Sequence, residues 1–498
     1  MKKVLCILLA LLMASCTVPA AQPEEVPQPP IEDVVLETTE PVAQPEEEPL
    51  EGIWSEELTV LMEEINAEHR AVEKPLVSAE TYDQYFPERE TLPLPTQPDT
   101  ELMVDILTQE QAIYDVSYLC YFLSANYALY DFFGGNERFE QAQADMIEKI
   151  KTQEQWSPTE LMMLIVKHMD FVQDCHFVVM SGSQSASPVV LQYPIFYRNA
   201  EFVRVEDGFA TADGKQVQSI EGQDDLEALF KRSLSIDGDI VYYPVLFSKQ
   251  CANKEYNEMP GDLVIHYDDG SSETLQGEPY DKSYIKKELS NDIQFDRVER
   301  IKRMIFKKFM NSNLATAGTE LQGEPVVLID VRTNGGGNAD YGWRFWESYT
   351  GTKTSGNHLI CFARQANNAM NDRYGVGLEL LDGRPIMNTK EDTMTGMDNL
   401  TIVLSGKDAY SAAEDFVDTT HNVENTLIIG ENTAGCLTSG AISQKSLRYS
   451  NIHFSYAESA TIWPEGQFSE GYGLEPDLWC PAAYAEEAAI NFLKKNVQ

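Results

Sequence analysis

The sequence predicts an α/β protein in which a helical domain and a β-rich module precede an α/β core. Apolar residues recur at intervals of three and four up to about residue 180, short alternating runs follow, and strand-like and helix-like segments then alternate. The 498 residues, 43% of them hydrophobic, are enough to bury a large core. These patterns place the helical domain at residues 58–182, the β-rich module at 183–291 and the α/β core at 292–498.

Residues 1–16 have the layout of a secretory signal, because Lys2 and Lys3 precede a short apolar run that ends in small residues. The run is too short to span a bilayer stably. Its ending, MASC at positions 13–16, resembles the lipobox of bacterial lipoproteins. That resemblance implies that Cys16 is acylated and anchors the protein to the bacterial cell membrane from outside the cytoplasm. The alternative is an ordinary cleaved signal that happens to end in a cysteine.

Residues 17–57 predict an extended tether, because they are rich in Pro and Glu and contain no Lys or Arg. The whole chain has a formal net charge of −43. This charge disfavours binding to nucleic acid, since phosphate contacts need clustered Lys and Arg. Macromolecular substrates are therefore expected to be neutral or basic.

The chain has eight cysteines, of which Cys6 leaves with the signal and Cys16 is acylated under this interpretation. The other six contain no C-x-x-C pair, so their spacing indicates neither a disulfide framework nor a zinc site. We predict no cofactor and no metal. The six cysteines stand at positions 120, 175, 251, 361, 436 and 480.

Helical periodicity predicts helices within residues 112–133, 139–150 and 157–172. Ser157 and Glu160 form a capping-box pattern at the start of the third helix. Alternating runs in the β-rich module predict strands. Residues 214–234 resemble the strand, glycine turn and helix of a degenerate PDZ-like peptide-binding domain. Many folds contain this arrangement, so an unrelated β module is the alternative.

Two segments of the predicted core contain candidate functional residues. An apolar strand over 327–330 runs towards three consecutive glycines at 335–337, which suit a loop that approaches another group closely or presents its N–H groups. A second strand at 400–405 is followed by Ser411 at the start of a helix, where the next backbone N–H can point at an oxyanion. The alternatives are a glycine turn without a ligand and a serine that only caps its helix.

Together these segments resemble the C-terminal-processing (tail-specific) serine peptidases and the tricorn core, which share a Ser-Ala-x-Glu helix start, here residues 411–414. Residues 430–435 resemble the Gly-x-x-Thr-x-Gly turn of that family, and residues 471–477 resemble its closing motif. The resemblance implies a crotonase/ClpP-like ββα core. It also implies a serine endopeptidase that cleaves protein or peptide substrates through an acyl-enzyme at Ser411.

The resemblance also bears on the catalytic base. The tail-specific branch places a lysine directly after the threonine turn, but this chain has Cys436 there. Lys445 lies nearby among polar neighbours, which disfavours the desolvated, neutral lysine that a base requires. The tricorn-like branch instead implies His176 as the base and Glu470 as the carboxylate that orients it.

The family pattern assigns the oxyanion hole to the N–H of Ala412 and to that of Gly335 or Gly336. The alternatives are a structural histidine at 176 and a solvated carboxylate at 470. A metal cluster of the acidic and histidine side chains at 168, 170, 174 and 176 is disfavoured, because helical spacing does not bring all four to one face. A catalytically idle lipoprotein that binds a peptide or a lipophile on the same fold is the competing hypothesis.

Overall fold

The computed structural model describes residues 51–72, 78–87, 103–252, 257–283, 293–362, 379–381, 384–387 and 394–498. The predicted signal peptide, Cys16 and residues 17–50 of the predicted tether lie outside the described residues. Within the described ranges, no helix is both long enough and apolar enough to cross a bilayer.

Most helices begin where the sequence supplies a capping side chain. The predicted capping box of Ser157 and Glu160 is confirmed, and Thr108 with Gln111 forms a second one. The α-helices are α1 Glu56–Ala71, α2 Ala79–Tyr85, α3 Gln109–Asn126, α4 Gly135–Ile150, α5 Pro158–His168, α6 Leu226–Leu229, α7 Leu314–Ala317, α8 Ala339–Thr350, α9 Ala412–Thr420 and α10 Ala485–Asn496.

The strands of the described ranges fall into two large sheets and two small ones. In chain order they are β1 Leu107–Thr108, β2 Gln155–Trp156, β3 Val179–Ser181, β4 Gln184–Ala186, β5 Leu191–Phe196, β6 Phe202–Val205, β7 Gly208–Thr211, β8 Val217–Ile220, β9 Phe230–Leu234, β10 Ile240–Gln250, β11 Leu263–Tyr267, β12 Ser272–Leu275, β13 Gln294–Val298, β14 Ile301–Ile305, β15 Val326–Asp330, β16 Leu359–Phe362, β17 Glu379–Leu381, β18 Arg384–Met387, β19 Leu400–Ser405, β20 Thr426–Gly430, β21 Ser439–Ser446, β22 His453–Ile462 and β23 Leu478–Trp479.

The main sheet has the order β13-β14-β15-β19-β20-β23-β9-β10-β6-β7, and β5 also pairs with β10. The strands from β14 to β9 along this order run parallel. Strands β15, β19 and β20, in the middle of this run, are buried along their whole length, as parallel strands between two layers of helices are. Along β15, Val326 and Leu328 pack with α1 and α10, whereas Val327 and Ile329 pack with α8 and α9. The predicted α/β class is confirmed.

Strand β9 of the predicted β-rich module joins the core sheet directly. It pairs in parallel with β23, through Ser233 opposite Trp479. The module therefore extends the core sheet. A three-stranded sheet, β12-β11-β8, lies beside this extension, and α6 between β8 and β9 is a single turn of four residues. The PDZ-like interpretation of this region stays a prediction.

Helices α3, α4 and α5 pack on a second sheet of order β17-β18-β16-β22-β3-β4, with β21 paired to β22. Strand β3 follows the helical region and pairs with β22, so this sheet fixes the end of the helical region against the core. Helix α1 does not join this group, although the sequence placed it in the helical domain. Leu58, Leu61 and Ile65 pack against the core sheet instead.

Buried ion pairs hold helix α9 beside strand β16. His358 Nδ1 lies 2.8 Å from Asp418 Oδ2, and its Nε2 lies 3.3 Å from Asp415 Oδ1. Burial alone lowers the pKa of His358, but the two carboxylates outweigh burial and raise it above the usual 6.5. The charged imidazole therefore contributes stability that is complete below pH 6.5 and is lost as the pH rises through the raised pKa.

We expect the melting temperature of the protein to fall as the pH is raised from about 6.5 towards 9, in part through this histidine. His358→Gln should have a lower melting temperature at pH 6.5 and a weaker pH dependence above it. Thermal unfolding of both proteins at several pH values measures the difference. Equal pH dependence in the two proteins would contradict this assignment.

Candidate active site

Three loops that leave the carboxyl ends of adjacent parallel strands meet at one place. β15 leads into the glycine loop at 335–337, β19 leads to Ser411, and β20 leads into the turn at 433–436. Loops at this end of a parallel sheet are where open α/β folds place their ligands. The sheet therefore brings together the segments that the sequence singled out.

Ser411 occupies a strained turn between β19 and α9. Its φ of 54° and ψ of −117° lie in a region that residues other than glycine rarely adopt. Such a conformation costs about 1–3 kcal/mol and persists only when its surroundings impose it. The N–H of Tyr410 donates to Asn334 O at 2.9 Å, and the N–H of Ser411 donates to Glu414 Oε2 at 3.0 Å. The strain presents the hydroxyl at the start of the helix, as in a nucleophile elbow.

The carboxylate of Glu414 ties this elbow to the turn that follows β20. It is fully buried and accepts from Thr433 Oγ1, the N–H of Gly435 and the N–H of Cys436, each at 2.7 Å. Burial raises the pKa of Glu414, while these hydrogen bonds oppose the rise. Sequence reasoning used Glu414 only as part of a motif, and its role is to fix the shape of the elbow.

His176 is the side chain that reaches Ser411. Its Nε2 lies 3.1 Å from Ser411 Oγ, although the two residues are 235 positions apart. The histidine sits between α5 and β3, and its backbone N–H donates to Asp174 Oδ1 at 2.9 Å. The structure thus brings the predicted base and the predicted nucleophile within hydrogen-bond distance.

The second imidazole nitrogen faces Ser439 and Asp174. His176 Nδ1 lies 3.2 Å from Ser439 Oγ and 3.8 Å from Asp174 Oδ1. Ser439 Oγ donates to Asp174 Oδ1 at 2.8 Å, and Tyr127 donates its hydroxyl to Asp174 Oδ2 at 2.7 Å. Asp174 is fully buried and hydrogen-bonded on both oxygens, so its carboxyl group is held in a fixed position behind the imidazole. A carboxylate placed here favours the tautomer with the proton on Nδ1.

Glu470 does not take the position that the sequence predicted for it. Its Oε1 accepts from the N–H of Cys175 at 2.6 Å, and its Oε2 accepts from the N–H of Thr438 at 3.0 Å. Burial raises the pKa of Glu470 to about 8, and the neighbouring Cys436 adds to the rise. Glu470 therefore supports the backbone beside the site, and Asp174 is the carboxyl group that lies beside the second imidazole nitrogen. The signal for Asp174 was its place two residues before the histidine.

The predicted oxyanion donors differ in whether their backbone N–H groups already donate a hydrogen bond within the protein. Ala412 opens helix α9, where first-turn N–H groups have no partner within the helix. The N–H of Gly335 donates to Lys307 O at 3.0 Å, and that of Gly336 donates to Asn334 Oδ1 at 2.9 Å. The two glycine donors are thus occupied in this conformation, and the geometry does not support either of them as an oxyanion donor.

Gly336 contributes through its small size instead. A Cβ atom at this position would lie 2.6 Å from Tyr410 O and 3.0 Å from Ser411 Cβ, and its φ is +79°. We expect Gly336→Ala to displace the nucleophile and lower kcat/KM about a hundredfold or more, since displacements of about 1 Å can have this effect. Steady-state kinetics on a fluorogenic peptide measures the loss.

Gly351→Ala is the matched control, because its φ of +76° is similar but a Cβ there meets nothing within 4 Å. This control carries the same backbone strain without the contact, so its kcat/KM should stay near the wild-type value. Equal losses in the two variants would contradict a role for close packing at Gly336.

A cysteine competes for the same imidazole nitrogen. Cys436 Sγ lies 3.8 Å from His176 Nε2. Burial raises the pKa of a thiol, but hydrogen bonds from Cys175 and His176 outweigh burial and lower the pKa of Cys436. Burial likewise lowers the pKa of His176, but Cys436 and Asp174 outweigh it and raise that pKa to about 10. Only the form with a neutral imidazole can accept the Ser411 proton.

Lys407 is a buried residue that sequence reasoning missed. Its Nζ donates to the carbonyl oxygens of Thr433 and Ala434 at 2.7 and 2.9 Å, and to those of Gly471 and Tyr472 at 3.2 and 3.0 Å. Burial lowers its pKa to about 8. The ammonium group joins the turn after β20 to the closing motif.

Comparison with known proteins identifies a family. The sequence profile of peptidase family S41 matches residues 300–479. The solved structure of mature CPAF is similar with 14% identity and a TM-score of 0.42, over 78% of this chain and 97% of its own. A putative peptidase from Parabacteroides merdae has 14% identity and a TM-score of 0.40, over 78% and 97%. The photosystem II D1 C-terminal processing protease has 14% identity and a TM-score of 0.36, over 76% and 94%. No curated protein sequence matches.

Proposed function

Since this chain belongs to peptidase family S41, a family of serine-type peptidases that act on proteins or peptides, we propose that it is an endopeptidase that works through an acyl-enzyme on Ser411. The observation that supports this most is the 3.1 Å separation between Ser411 Oγ and His176 Nε2. A serine hydroxyl is a weak nucleophile until a base within this distance takes its proton.

The proposed reaction uses the histidine twice. His176 takes the proton of Ser411 as its oxygen attacks the peptide carbonyl, and then gives this proton to the leaving amine. Water, activated by the same imidazole, then hydrolyses the acyl-enzyme. Asp174 holds the Nδ1 proton in place through Ser439, and its carboxylate, 3.8 Å from Nδ1, stabilises the imidazolium that forms. The N–H of Ala412 donates to the negative oxygen of the tetrahedral intermediate.

Covalent labelling tests this function without knowledge of the substrate. A fluorophosphonate should modify the full chain at one residue, Ser411, and mass spectrometry of the digested protein should locate the adduct there. Ser411→Ala should remove the label. Ser443→Ala is the matched control, since this serine hydroxyl donates to Glu458 at 2.7 Å in strand β21. A folded chain that resists labelling from pH 6 to 9 would favour the catalytically idle binding protein instead.

We further propose that the peptidase is held at the outer face of a bacterial cell membrane by acylation of Cys16. This placement is supported by the lipobox-like ending of the signal and by the tether that follows it, which is rich in Pro and Glu and has no Lys or Arg. The Cys16→Ala protein should lose incorporation of a labelled fatty acid and leave the membrane fraction. Cys251→Ala should keep both properties. Retention of the fatty acid by Cys16→Ala would contradict this anchor.

A further inference from the structure

Two cysteines and a carboxylate converge beside the catalytic histidine. Cys175 Sγ, Cys436 Sγ and a carboxylate oxygen of Glu470 all lie within 4.8 Å of one another. They come from three separate segments: the loop before β3, the turn after β20 and the segment before the closing motif. The described cysteines, these two included, form no disulfide. The proposed hydrolysis requires none of these three side chains.

The distances between the candidate ligand atoms can be compared with those around a tetrahedral zinc ion. With Zn–S of about 2.3 Å and Zn–N of about 2.0–2.1 Å, a sulfur and a nitrogen on one ion stand about 3.6 Å apart. Cys436 Sγ and His176 Nε2 are 3.8 Å apart. Two sulfurs on one ion stand about 3.8 Å apart, so Cys175, Cys436 and Glu470 need to approach one another by little more than about 1 Å.

The groups around the cluster already hold the ligands in place. Glu470 is anchored by the N–H of Cys175 and the N–H of Thr438, which leave lone pairs on both of its oxygens. The other nitrogen of His176 faces Ser439, which in turn donates to Asp174. Metal-bound histidines usually have such a partner on their second nitrogen, because it fixes the ring and the tautomer. Cys175 and Glu470 are both only partly buried.

We propose that Cys175, Cys436, Glu470 and His176 form a binding site for Zn²⁺ and that the bound ion holds the peptidase inactive. The inhibitory half of this proposal rests on the proposed function, whereas the binding half does not. His176 Nε2 has one lone pair, which either binds the ion or accepts the Ser411 proton. Binding replaces each S–H bond by an S–Zn bond and releases the thiol protons to solvent. The Cys175 thiol thereby gives up its 3.0 Å hydrogen bond to Gly435 O.

Cobalt titration of the Ser411→Ala full chain tests the site independently of activity. Co²⁺ should give a thiolate-to-cobalt charge-transfer band and the visible bands of tetrahedral cobalt at one ion per chain, and Zn²⁺ should displace it. Cys436→Ala should abolish the charge-transfer band or weaken binding at least tenfold. Cys120→Ala, which removes a buried cysteine of the helical region, should bind as the parent does. Absence of the band in the folded parent, or its persistence after loss of both Cys175 and Cys436, would overturn the site.

Inhibition is tested separately on the active protein. Zn²⁺ should suppress peptide hydrolysis and fluorophosphonate labelling, and a chelator should restore both. Whatever activity remains in Cys175→Ala should be at least tenfold less sensitive to Zn²⁺. Cobalt binding without zinc inhibition would overturn the inhibitory half alone. Failure of labelling in the metal-free protein would instead count against the proposed peptidase function.

Discussion

Replacing Ser411 with alanine is expected to lower kcat/KM for peptide hydrolysis on the order of a millionfold. The same loss is expected for His176→Ala, because the hydroxyl is not activated without the imidazole 3.1 Å away. The two residues act as a unit, so the double variant should be no worse than either single one. The measurement uses a fluorogenic peptide selected from a library by cleavage with the wild-type protein.

Folding must be separated from catalysis in this comparison. Ser411 has a positive φ, so an alanine there keeps the strain and removes only the hydroxyl. Ser443→Ala again provides the serine control, and all variants should melt within a few degrees of the wild type. If Ser411→Ala retained a hundredth of the activity, the nucleophile would have to be another group. Cys436 would then be the first candidate, because its sulfur lies 3.8 Å from the same nitrogen.

Asp174→Asn is expected to lower kcat about ten-thousandfold, as loss of the orienting carboxylate does in other serine peptidases. An amide removes the negative charge that stabilises the imidazolium and can donate where Ser439 now donates. Because Asp174 is a positioning residue, the loss should fall on kcat and on the fluorophosphonate labelling rate, with little change in KM. Both rates are measured on the same preparation, together with its melting temperature.

Glu470→Gln tests which of the two carboxylates, Asp174 or Glu470, orients His176. Glu470 accepts only from backbone N–H groups in its described contacts, and glutamine retains one acceptor oxygen for them. We therefore expect a loss of less than about tenfold in kcat, with some loss of stability. A larger loss for Glu470→Gln than for Asp174→Asn would reverse our assignment and restore the prediction made from the sequence.

The sequence predicted those features that depend on residues close together in the chain. Helical periodicity and the Ser157 cap located α3, α4 and α5, and apolar runs located β15, β19 and β20. The family resemblance, which is confirmed, supplied Ser411 and His176 as a pair. No pattern along the chain measures the distance between them, so their contact came from the structure.

The sequence did not predict those contacts that form between segments far apart in the chain. The apolar face of α1 is visible in its spacing, but spacing does not say which surface covers that face. Asp174 and Glu470 are both acidic residues close to segments that resemble the family's motifs, and only the fold shows which one lies beside the second imidazole nitrogen. Cys175 and Cys436 lie far apart in the chain, so a search for metal-ligand spacing could not pair them.

The parallel pairing of β9 with β23 links the β-rich extension to the segment beside His176. β23 begins directly after the closing motif that follows Glu470, and β9 belongs to the β-rich extension. Backbone hydrogen bonds join the two strands. The extension therefore cannot rotate away from the core unless the pairing between β9 and β23 is first broken. A displacement of the extension would therefore be transmitted through β23 to the closing motif and to Glu470 beside His176.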